Sequence, residues 1–211
     1  MVPSGRVPRF GENDEITRPV LEYRPMHVPS PLVTVRAARE ADASAIAAIY
    51  NQGIEDRGAT FETKPRSPDD IRAALAERGD RYPTLVAERD GTIVAAAWAS
   101  PYRPRGCYDG IAEFSVYTVR EARGSGAGRA VLAALLTECE RRGFWKLLSR
   151  VFPENAASRA LCRSLGFREV GIYHRHARLD GVWRDCVIVE KLVGEAEQNM
   201  PQTSSRPRVP P

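Results

Sequence analysis

The chain has 211 residues, of which 43% are hydrophobic and 27% are charged, and its formal net charge is +4. This composition predicts one globular domain with a hydrophobic core, and since no run approaches about 18 consecutive apolar residues we expect no membrane span. The modest charge, without a block of about five like charges, argues against a nucleic-acid partner but suits a small polyanionic ligand.

The four cysteines, at positions 107, 139, 162 and 186, are widely spaced and form no CxxC pair. This spacing predicts neither a disulfide framework nor a metal site, and reduced thiols are typical of the cytoplasm. The first residues also lack the basic-then-apolar pattern of a signal peptide. We therefore expect a cytoplasmic protein without a bound metal.

The two ends of the chain differ in composition from its middle. Residues 1–32 are rich in proline, and residues 195–211 read EAEQNMPQTSSRPRVPP. Neither segment offers enough apolar surface to offset the entropy lost on ordering. The sequence therefore predicts a disordered Pro-rich N-terminal extension over 1–32, a folded domain over 33–194 and a disordered tail over 195–211.

Strands and helices alternate along the folded domain. In chain order the pattern predicts a strand at 32–37, a helix from Asp42, a helix from the Ser67 cap to about Arg78, strands at 82–88 and 92–100 joined by a hairpin turn, a strand at 111–119, a helix ending at Arg142, a strand at 144–151, a helix from the Asn155 cap to Leu165, and strands at 168–173 and 183–192. This order predicts an α/β (α+β) fold, with one mixed sheet covered by helices on both faces.

Residues 123–128 read RGSGAG and lie between a predicted strand and a predicted helix. Backbone N–H groups at a helix N-terminus attract phosphate oxygens, and glycines let a phosphate approach the backbone closely. The spacing excludes a P-loop, because no Lys-Ser or Lys-Thr follows, and it excludes the dinucleotide fingerprint GxGxxG, because position 129 is arginine. A purely structural strand–helix turn stays open as the alternative.

The same stretch matches [RQ]-x-x-G-x-[GA] and resembles the acetyl-CoA pyrophosphate loop of the GNAT superfamily of N-acetyltransferases. The preceding AEFSVYTV (112–119) resembles the central strand of that superfamily, and NAASRALCRSLGF (155–167) resembles its helix pattern N-x-x-[AS]-x-x-L-[YC]-x-x-x-GF. The element order agrees along nearly all of the folded domain. The resemblance implies the GNAT acyl-CoA N-acyltransferase fold, with acetyl-CoA as co-substrate.

Further segments are similar to the phosphinothricin and arsinothricin N-acetyltransferase family. They are ATFET (59–63), RYP (81–83), SPYRPR (100–105), EFSVY (113–117) and DGVWRD (180–185), while FWKL (144–147) and VIVEKL (187–192) look closest to the arsinothricin branch. The resemblance implies transfer of an acetyl group to the α-amine of a glutamate-like antimetabolite, with resistance as the outcome.

The resemblance also implies which residues hold acetyl-CoA. The strand backbone would pair with the pantetheine arm, the loop would hold the pyrophosphate, and Asn155 would serve the arm as well as cap its helix, although capping alone also accounts for it. The implied cofactor-binding residues are Val116, Tyr117, Thr118, Val119, Arg123, Gly124, Ser125, Gly126, Ala127, Gly128, Arg129 and Asn155.

A general base is expected, because an α-amine is mostly protonated at neutral pH. Glu113 is the candidate, since it lies inside an apolar strand, on one face with Ser115 and Tyr117, shortly before the glycine-rich loop. A charge is costly to bury in such a strand and therefore indicates a function. The resemblance implies the same role, and a solvated glutamate at a sheet edge is the alternative.

The identity of a general acid stays open at this point. Where much of the superfamily has tyrosine and many phosphinothricin relatives have histidine, this chain has Cys162, which is either a proton donor or an inert buried thiol. Tyr117 is the other candidate donor. Because coenzyme A thiolate is a fair leaving group, the reaction does not strictly require an acid.

The oxyanions of such a substrate require cations. Arg103 and Arg105 lie in a Pro-rich loop next to the central strand, and guanidinium groups bind oxyanions in a bidentate geometry. We expect these two arginines to bind substrate and Phe61 to wall the pocket. Solvated arginines and a packing role for Phe61 are the alternatives.

The expected protein is an acetyl-CoA-dependent N-acetyltransferase for arsinothricin, phosphinothricin or methionine-sulfoximine-like amino acids, and the resemblance implies a homodimer. An enzyme for another small amine or a peptide N-terminus is one alternative, and a non-catalytic acetyl-CoA-binding regulator is another. Glu113 argues against the regulator, and the arginine pair argues against a peptide groove.

Overall fold

The computed structural model describes residues 33–198, so the predicted N-terminal extension and residues 199–211 of the predicted tail lie outside the described residues. The helices and strands, in chain order, are β1 (Thr34–Ala37), α1 (Ala43–Glu55), α2 (Pro68–Arg78), β2 (Thr84–Arg89), β3 (Thr92–Pro101), β4 (Ile111–Thr118), α3 (Ala127–Arg141), β5 (Lys146–Val151), α4 (Ala156–Ser164), β6 (Arg168–Leu179), β7 (Val182–Leu192) and α5 (Glu195–Gln198).

The strands form one sheet in the order β1-β2-β3-β4-β5-β7-β6. Neighbouring strands are antiparallel except for β4 and β5, which are parallel and are joined by the crossover helix α3. The prediction of a mixed sheet within an α/β (α+β) fold is confirmed.

The two faces of the sheet bury separate cores. Ala95 and Ala97 of β3 pack in the core that includes residues of α3 and α4, whereas Ala96 and Trp98 pack in the core that includes residues of α1 and α2. Successive side chains of a strand point to opposite faces, so this alternation shows that helices cover both faces.

Local capping explains where several elements begin and end. The Ser67 hydroxyl accepts a hydrogen bond from the Asp70 N–H at 3.1 Å, and the Asp70 carboxylate accepts one from the Ser67 N–H at 2.8 Å, so a capping box starts α2 as predicted. The predicted turn between β2 and β3 contains Asp90 and Gly91, both with positive φ (50° and 73°), as a tight hairpin requires.

Two predicted boundaries are wrong. The strand predicted to end at residue 173 continues to Leu179, because the ladder with β7 shifts register between Tyr173 and Ala177 and then resumes. Arg175, in that bulge, has φ of 49°, and the interruption hides the strand periodicity. Residues 195–198, which we assigned to the tail, form the short helix α5.

Candidate active site

The parallel strands β4 and β5 pair only at their N-terminal ends. Residues 111–113 lie opposite residues 146–148, and beyond them, within the described part of the chain, β4 continues to Thr118 and β5 to Val151 without pairing to each other. The strands diverge at a cleft of about 650 Å³. The backbone N–H and C=O groups on its open edges are available to a ligand with amide groups, which could pair with them as an added strand does.

The cleft gathers most of the residues predicted to bind acetyl-CoA. Nine of the twelve line it, namely Val116, Tyr117, Thr118, Arg123, Gly124, Gly126, Gly128, Arg129 and Asn155. Of the other three, Val119 and Ser125 flank these residues along the chain, and Ala127 is fully buried in the core below.

The glycine-rich loop has the backbone conformation of an anion cradle. Gly124 and Gly126 have φ of 74° and 88°, and α3 begins directly after Gly126, so the N–H groups of the first helical turn point outward without intrahelical partners. A Cβ on Gly128 would lie 2.9 Å from the Thr118 hydroxyl oxygen, which shows how closely α3 approaches the end of β4. This geometry fits a pyrophosphate at the cleft's mouth.

Two side-chain hydrogen bonds stabilise the conformation of this loop. Arg89 donates a hydrogen bond to the Ser125 hydroxyl at 2.6 Å, and that hydroxyl donates to the Ala122 carbonyl at 2.6 Å. Ser125 therefore holds the loop in shape, and its hydroxyl is engaged on the protein side.

Arg123, predicted to bind the cofactor, is tied to α1. Its guanidinium donates to the Asp56 carboxylate at 2.6 Å, and Arg120 donates to the same carboxylate at 2.7 Å. The hydrogen bond from Arg120 has the larger effect, and together with that from Arg123 it lowers the pKa of the Asp56 carboxyl below its ordinary value. Asp56 thus joins the loop to α1, a function that the sequence did not reveal.

Asn155 uses both ends of its side-chain amide. Its oxygen accepts a hydrogen bond from the Ser158 N–H at 3.0 Å, which caps α4, and its NH₂ group donates to the Gly58 carbonyl at 2.9 Å. The predicted cap is confirmed. The second bond fastens the loop after α1 to the wall of the cleft.

Glu113 lies where β4 and β5 begin to separate. It is the last residue of β4 that pairs with β5, and its side chain is 24% exposed. Its carboxylate accepts a hydrogen bond from Arg150, which lies on β5 and lines the cleft. Glu113 is therefore neither buried without a partner nor simply solvated, and Arg150 is a site residue that sequence reasoning missed.

Tyr117 lies in an aromatic cluster on the face below α1. Its ring stacks on Trp98 at 5.4 Å and meets Tyr50 edge-on at 4.8 Å, and its hydroxyl lies 3.4 Å from the Ala59 carbonyl oxygen. Burial raises the pKa of this phenol, so it stays protonated. A Cβ on Gly53 would lie 2.6 Å from the ring, so glycine is needed for Tyr117 to sit against α1. The ring lines the cleft, and its hydroxyl is turned toward the protein.

Cys162 is 1% exposed and packs in the core below α3 and α4, outside the cleft. Burial raises the pKa of its thiol to about 11. The structure therefore gives this residue the place of an inert core thiol rather than that of a donor that touches the cofactor.

We expect Cys162→Ala to keep kcat within about twofold, because the thiol is buried in the core and does not line the cleft, and to lower the free energy of unfolding by about 1 kcal/mol. The pH profile of kcat and urea unfolding measure the two effects. Cys139→Ala is the matched control, since Cys139 is equally buried in the same core. A drop in kcat with Cys162→Ala alone would restore the proton-donor role.

The three predicted substrate residues lie apart from the cofactor loop. Phe61 packs edge-on against Phe152 at 4.9 Å, and Phe152 lines the cleft. Arg103 and Arg105 are exposed on the loop between β3 and β4, outside the cleft, and the Arg103 guanidinium lies over the Tyr102 ring. That loop enters β4 two residues before Glu113.

Within residues 33–198, no group of three or more His, Cys, Asp or Glu side chains is arranged to hold a metal ion. Over the same range, no helix combines the length and the hydropathy that a bilayer crossing needs.

Comparison with known proteins identifies the family. Residues 47–167 match the model of the acetyltransferase (GNAT) family. The chain is 35% identical to the phosphinothricin N-acetyltransferase of Alcaligenes faecalis, over 80% of this chain and 87% of the relative.

Two solved structures are also similar. One is a phosphinothricin acetyltransferase of the GNAT superfamily from Sinorhizobium meliloti in complex with acetyl-CoA (31% identity, TM-score 0.74, 83% of this chain and 96% of that one). The other is a ribosomal-protein-alanine N-acetyltransferase from Brucella melitensis (37% identity, TM-score 0.73, 76% of this chain and 99% of that one).

These matches agree with the geometry of the site. The open edge of β4 suits the amide groups of a pantetheine arm, and the cradle at the start of α3 suits a pyrophosphate. The chain therefore belongs to the phosphinothricin N-acetyltransferase family of the GNAT superfamily and is an acetyl-CoA-dependent N-acetyltransferase.

Proposed function

We propose that this enzyme acetylates the α-amino group of a glutamate-like antimetabolite of the phosphinothricin or arsinothricin type and thereby confers resistance to it. The observation that carries the proposal is the position of the Glu113 carboxylate where β4 and β5 separate, in contact with Arg150, which lines the cleft. The name of the Alcaligenes faecalis relative supports the same substrate class.

The length of β4 between Glu113 and the glycine-rich loop sets the distance between the acetyl end and the pyrophosphate of the bound co-substrate. Five residues of extended strand, at about 3.3 Å each, put about 17 Å between Glu113 and Thr118, beside the glycine-rich loop. Acetyl-CoA supplies the acetyl group as an activated thioester. The loop binds the pyrophosphate, the edge of β4 aligns the arm, and the acetyl end then lies near Glu113.

Glu113 acts as the general base. Its carboxylate accepts the proton of the substrate's α-ammonium group, directly or through a water molecule, and leaves the nitrogen lone pair free to attack. Arg103 and Arg105 bind the phosphinate or arsinate of the substrate, because their loop joins β4 next to Glu113 and presents two exposed guanidinium groups. Phe61 and Phe152 form the apolar wall.

A second candidate substrate is the N-terminus of a peptide. The similarity to the Brucella melitensis structure, whose name gives a ribosomal protein as its substrate, favours this alternative. Both candidates use the same base and the same cofactor cleft, so only the acceptor distinguishes them.

Release of free thiol from acetyl-CoA, measured with a panel of acceptors, tests the proposal. The panel contains L-phosphinothricin, arsinothricin, methionine sulfoximine, L-glutamate and an alanine-terminated peptide. We expect the highest kcat/KM with one of the first three. Turnover of the peptide alone would replace the proposal by the second candidate.

We propose further that the enzyme is a homodimer in the cytoplasm. The support is the edge strand β6, which is almost wholly exposed, together with large apolar side chains on β6 and β7 that are 42–61% exposed: Val170, Ile172, Tyr173, Val182 and Trp183. An exposed apolar edge of this kind favours pairing with a second copy. Sedimentation equilibrium should give the mass of two chains, and the mass of one chain would contradict the dimer.

A further inference from the structure

Glu113 and Arg150 face the same side of the sheet. Glu113 lies opposite Leu148 in the β4–β5 ladder, and Arg150 follows Leu148 by two residues, so the three side chains share one face. Arg150 is thus placed where β5 has just left β4, and it reaches back across the opening to the carboxylate. The ion pair therefore lies where the two strands separate, with Arg150 lining the cleft and Glu113 next along β4 to its lining residues Phe114 and Ser115.

Most of the Arg150 guanidinium remains available to a ligand. Of its five N–H donors, the contact with Glu113 engages one, on Nη2, and the side chain is 39% exposed and lines the cleft. Two other cations on the same face are already paired, Lys146 with Glu190 at 3.1 Å and Arg184 with Glu154. Arg150 both lines the cleft and contacts Glu113, so it is placed to receive an anion next to that carboxylate.

A carboxylate and a guanidinium side by side complement the two charges of an α-amino acid. The α-ammonium group of such a substrate needs an acceptor, and its α-carboxylate, attached to the same carbon, needs a donor with fork geometry. Resting on the proposed function, we propose that Arg150 binds the α-carboxylate of the substrate and that this contact releases Glu113 to take the α-ammonium group.

This exchange of partners makes the availability of the Glu113 carboxylate depend on whether the substrate carries an α-carboxylate. In the free enzyme one Glu113 oxygen accepts from Arg150, which holds the carboxylate against β5. A substrate carboxylate that binds the other N–H donors shares the positive charge of the guanidinium, so the contact with Glu113 weakens and that oxygen is left to the ammonium group. An amine without a neighbouring carboxylate, such as a peptide N-terminus or an α-carboxamide, offers no such competitor. Arg103 and Arg105 are then left to bind the side-chain oxyanion.

Matched substrates test this assignment. The ratio of kcat/KM for L-phosphinothricin to that for its α-carboxamide should be at least about tenfold in the wild type, as expected for a hydrogen bond between charged groups. Arg150→Leu should bring the ratio close to one by slowing the acid and not the amide, and Arg150→Lys should keep part of it. Lys146→Met is the control, because Lys146 is a paired cation on the same strand and face, and it should keep the wild-type ratio.

Other results would overturn the assignment. An equal fall in kcat/KM for both substrates in Arg150→Leu, with acetyl-CoA affinity intact, would give Arg150 a function toward the thioester instead. Wild-type kcat/KM values for both substrates in that variant would leave Arg150 without a function in recognition. Neither outcome contradicts the proposed function as long as the wild type acetylates phosphinothricin. A wild type that turns over no α-amino acid would remove both proposals.

Discussion

Replacing Glu113 by glutamine should lower kcat by about 10²- to 10⁴-fold, the range that general-base catalysis commonly contributes. The amide keeps the size of the side chain but cannot take a proton from the substrate's ammonium group. Because Glu113 lies where β4 and β5 separate, five residues along β4 from the end of the strand that adjoins the glycine-rich loop, the dissociation constant of acetyl-CoA should stay nearly unchanged. Steady-state kinetics and calorimetric titration of acetyl-CoA measure the two quantities.

The matched control is Glu190→Gln. Glu190 lies on β7 opposite Leu148, on the same face as Glu113, and it too is bound to cations, Lys146 and Arg168. If removal of negative charge from this face were enough to slow the enzyme, both variants would lose kcat. Full activity of Glu113→Gln would contradict the assignment of the base.

Replacing Gly126 by valine should raise the KM for acetyl-CoA by about tenfold or more. Gly126 has φ of 88°, and a β-branched residue in that conformation is strained, so the loop and the first turn of α3 would rearrange. The N–H groups that form the anion cradle belong to that turn, and moving them weakens the bonds to phosphate. The KM for the amine should change much less.

The control variant Gly91→Val separates the effect of backbone strain on stability from a specific effect on acetyl-CoA binding. Gly91 also has positive φ, 73°, and a Cβ at this position would meet no atom within 4 Å, but the residue lies in the β2–β3 turn. Both variants should lose stability in urea unfolding, and only Gly126→Val should weaken acetyl-CoA binding. A KM that rises equally in both variants would mean that general destabilisation, not the loop, causes the effect.

Much of the fold follows from local sequence patterns. The Ser67–Asp70 capping box and the glycine after Asp90 each have a conformation that short segments determine on their own, and the structure has both where they were expected. The extent of β6 does not follow from such patterns. Its bulge is held by the Asp185 carboxylate, which lies 2.8 Å from His174 Nδ1 and accepts a hydrogen bond from the Arg175 backbone N–H at 2.7 Å. Asp185 is eleven and ten residues away from these two partners along the chain.

The residues of the candidate site also fall into two groups, those that local sequence patterns indicate and those that depend on long-range contacts. The glycines of the loop could be predicted because backbone conformation restricts the residue type, and Glu113 stays a predicted base, chosen because a charge in an apolar strand is unusual. Arg150 could not, because its role depends on β5 lying parallel to β4 in one register, a long-range pairing that single-sequence patterns do not determine. Asp56 was missed for the same reason, since its partners Arg120 and Arg123 lie more than sixty residues along the chain.

For the two candidate proton donors, Cys162 and Tyr117, the structure adds information that the resemblance did not give. The resemblance implied a proton donor at position 162, yet Cys162 is buried in the core. With the Tyr117 hydroxyl also directed at the Ala59 carbonyl, neither candidate donor presents its proton to the cleft. We therefore expect the coenzyme A thiolate to leave without a protein acid.

The central claim, that the cleft between β4 and β5 delivers an acetyl group to an α-amine beside Glu113, is tested most directly by the identity of the product. The wild-type enzyme is incubated with acetyl-CoA and L-phosphinothricin, and the product is examined by mass spectrometry and NMR. We predict one new acetyl group on the α-nitrogen, formed in step with free coenzyme A. Coenzyme A release without an N-acetylated product, or acetylation at another atom, would contradict this account.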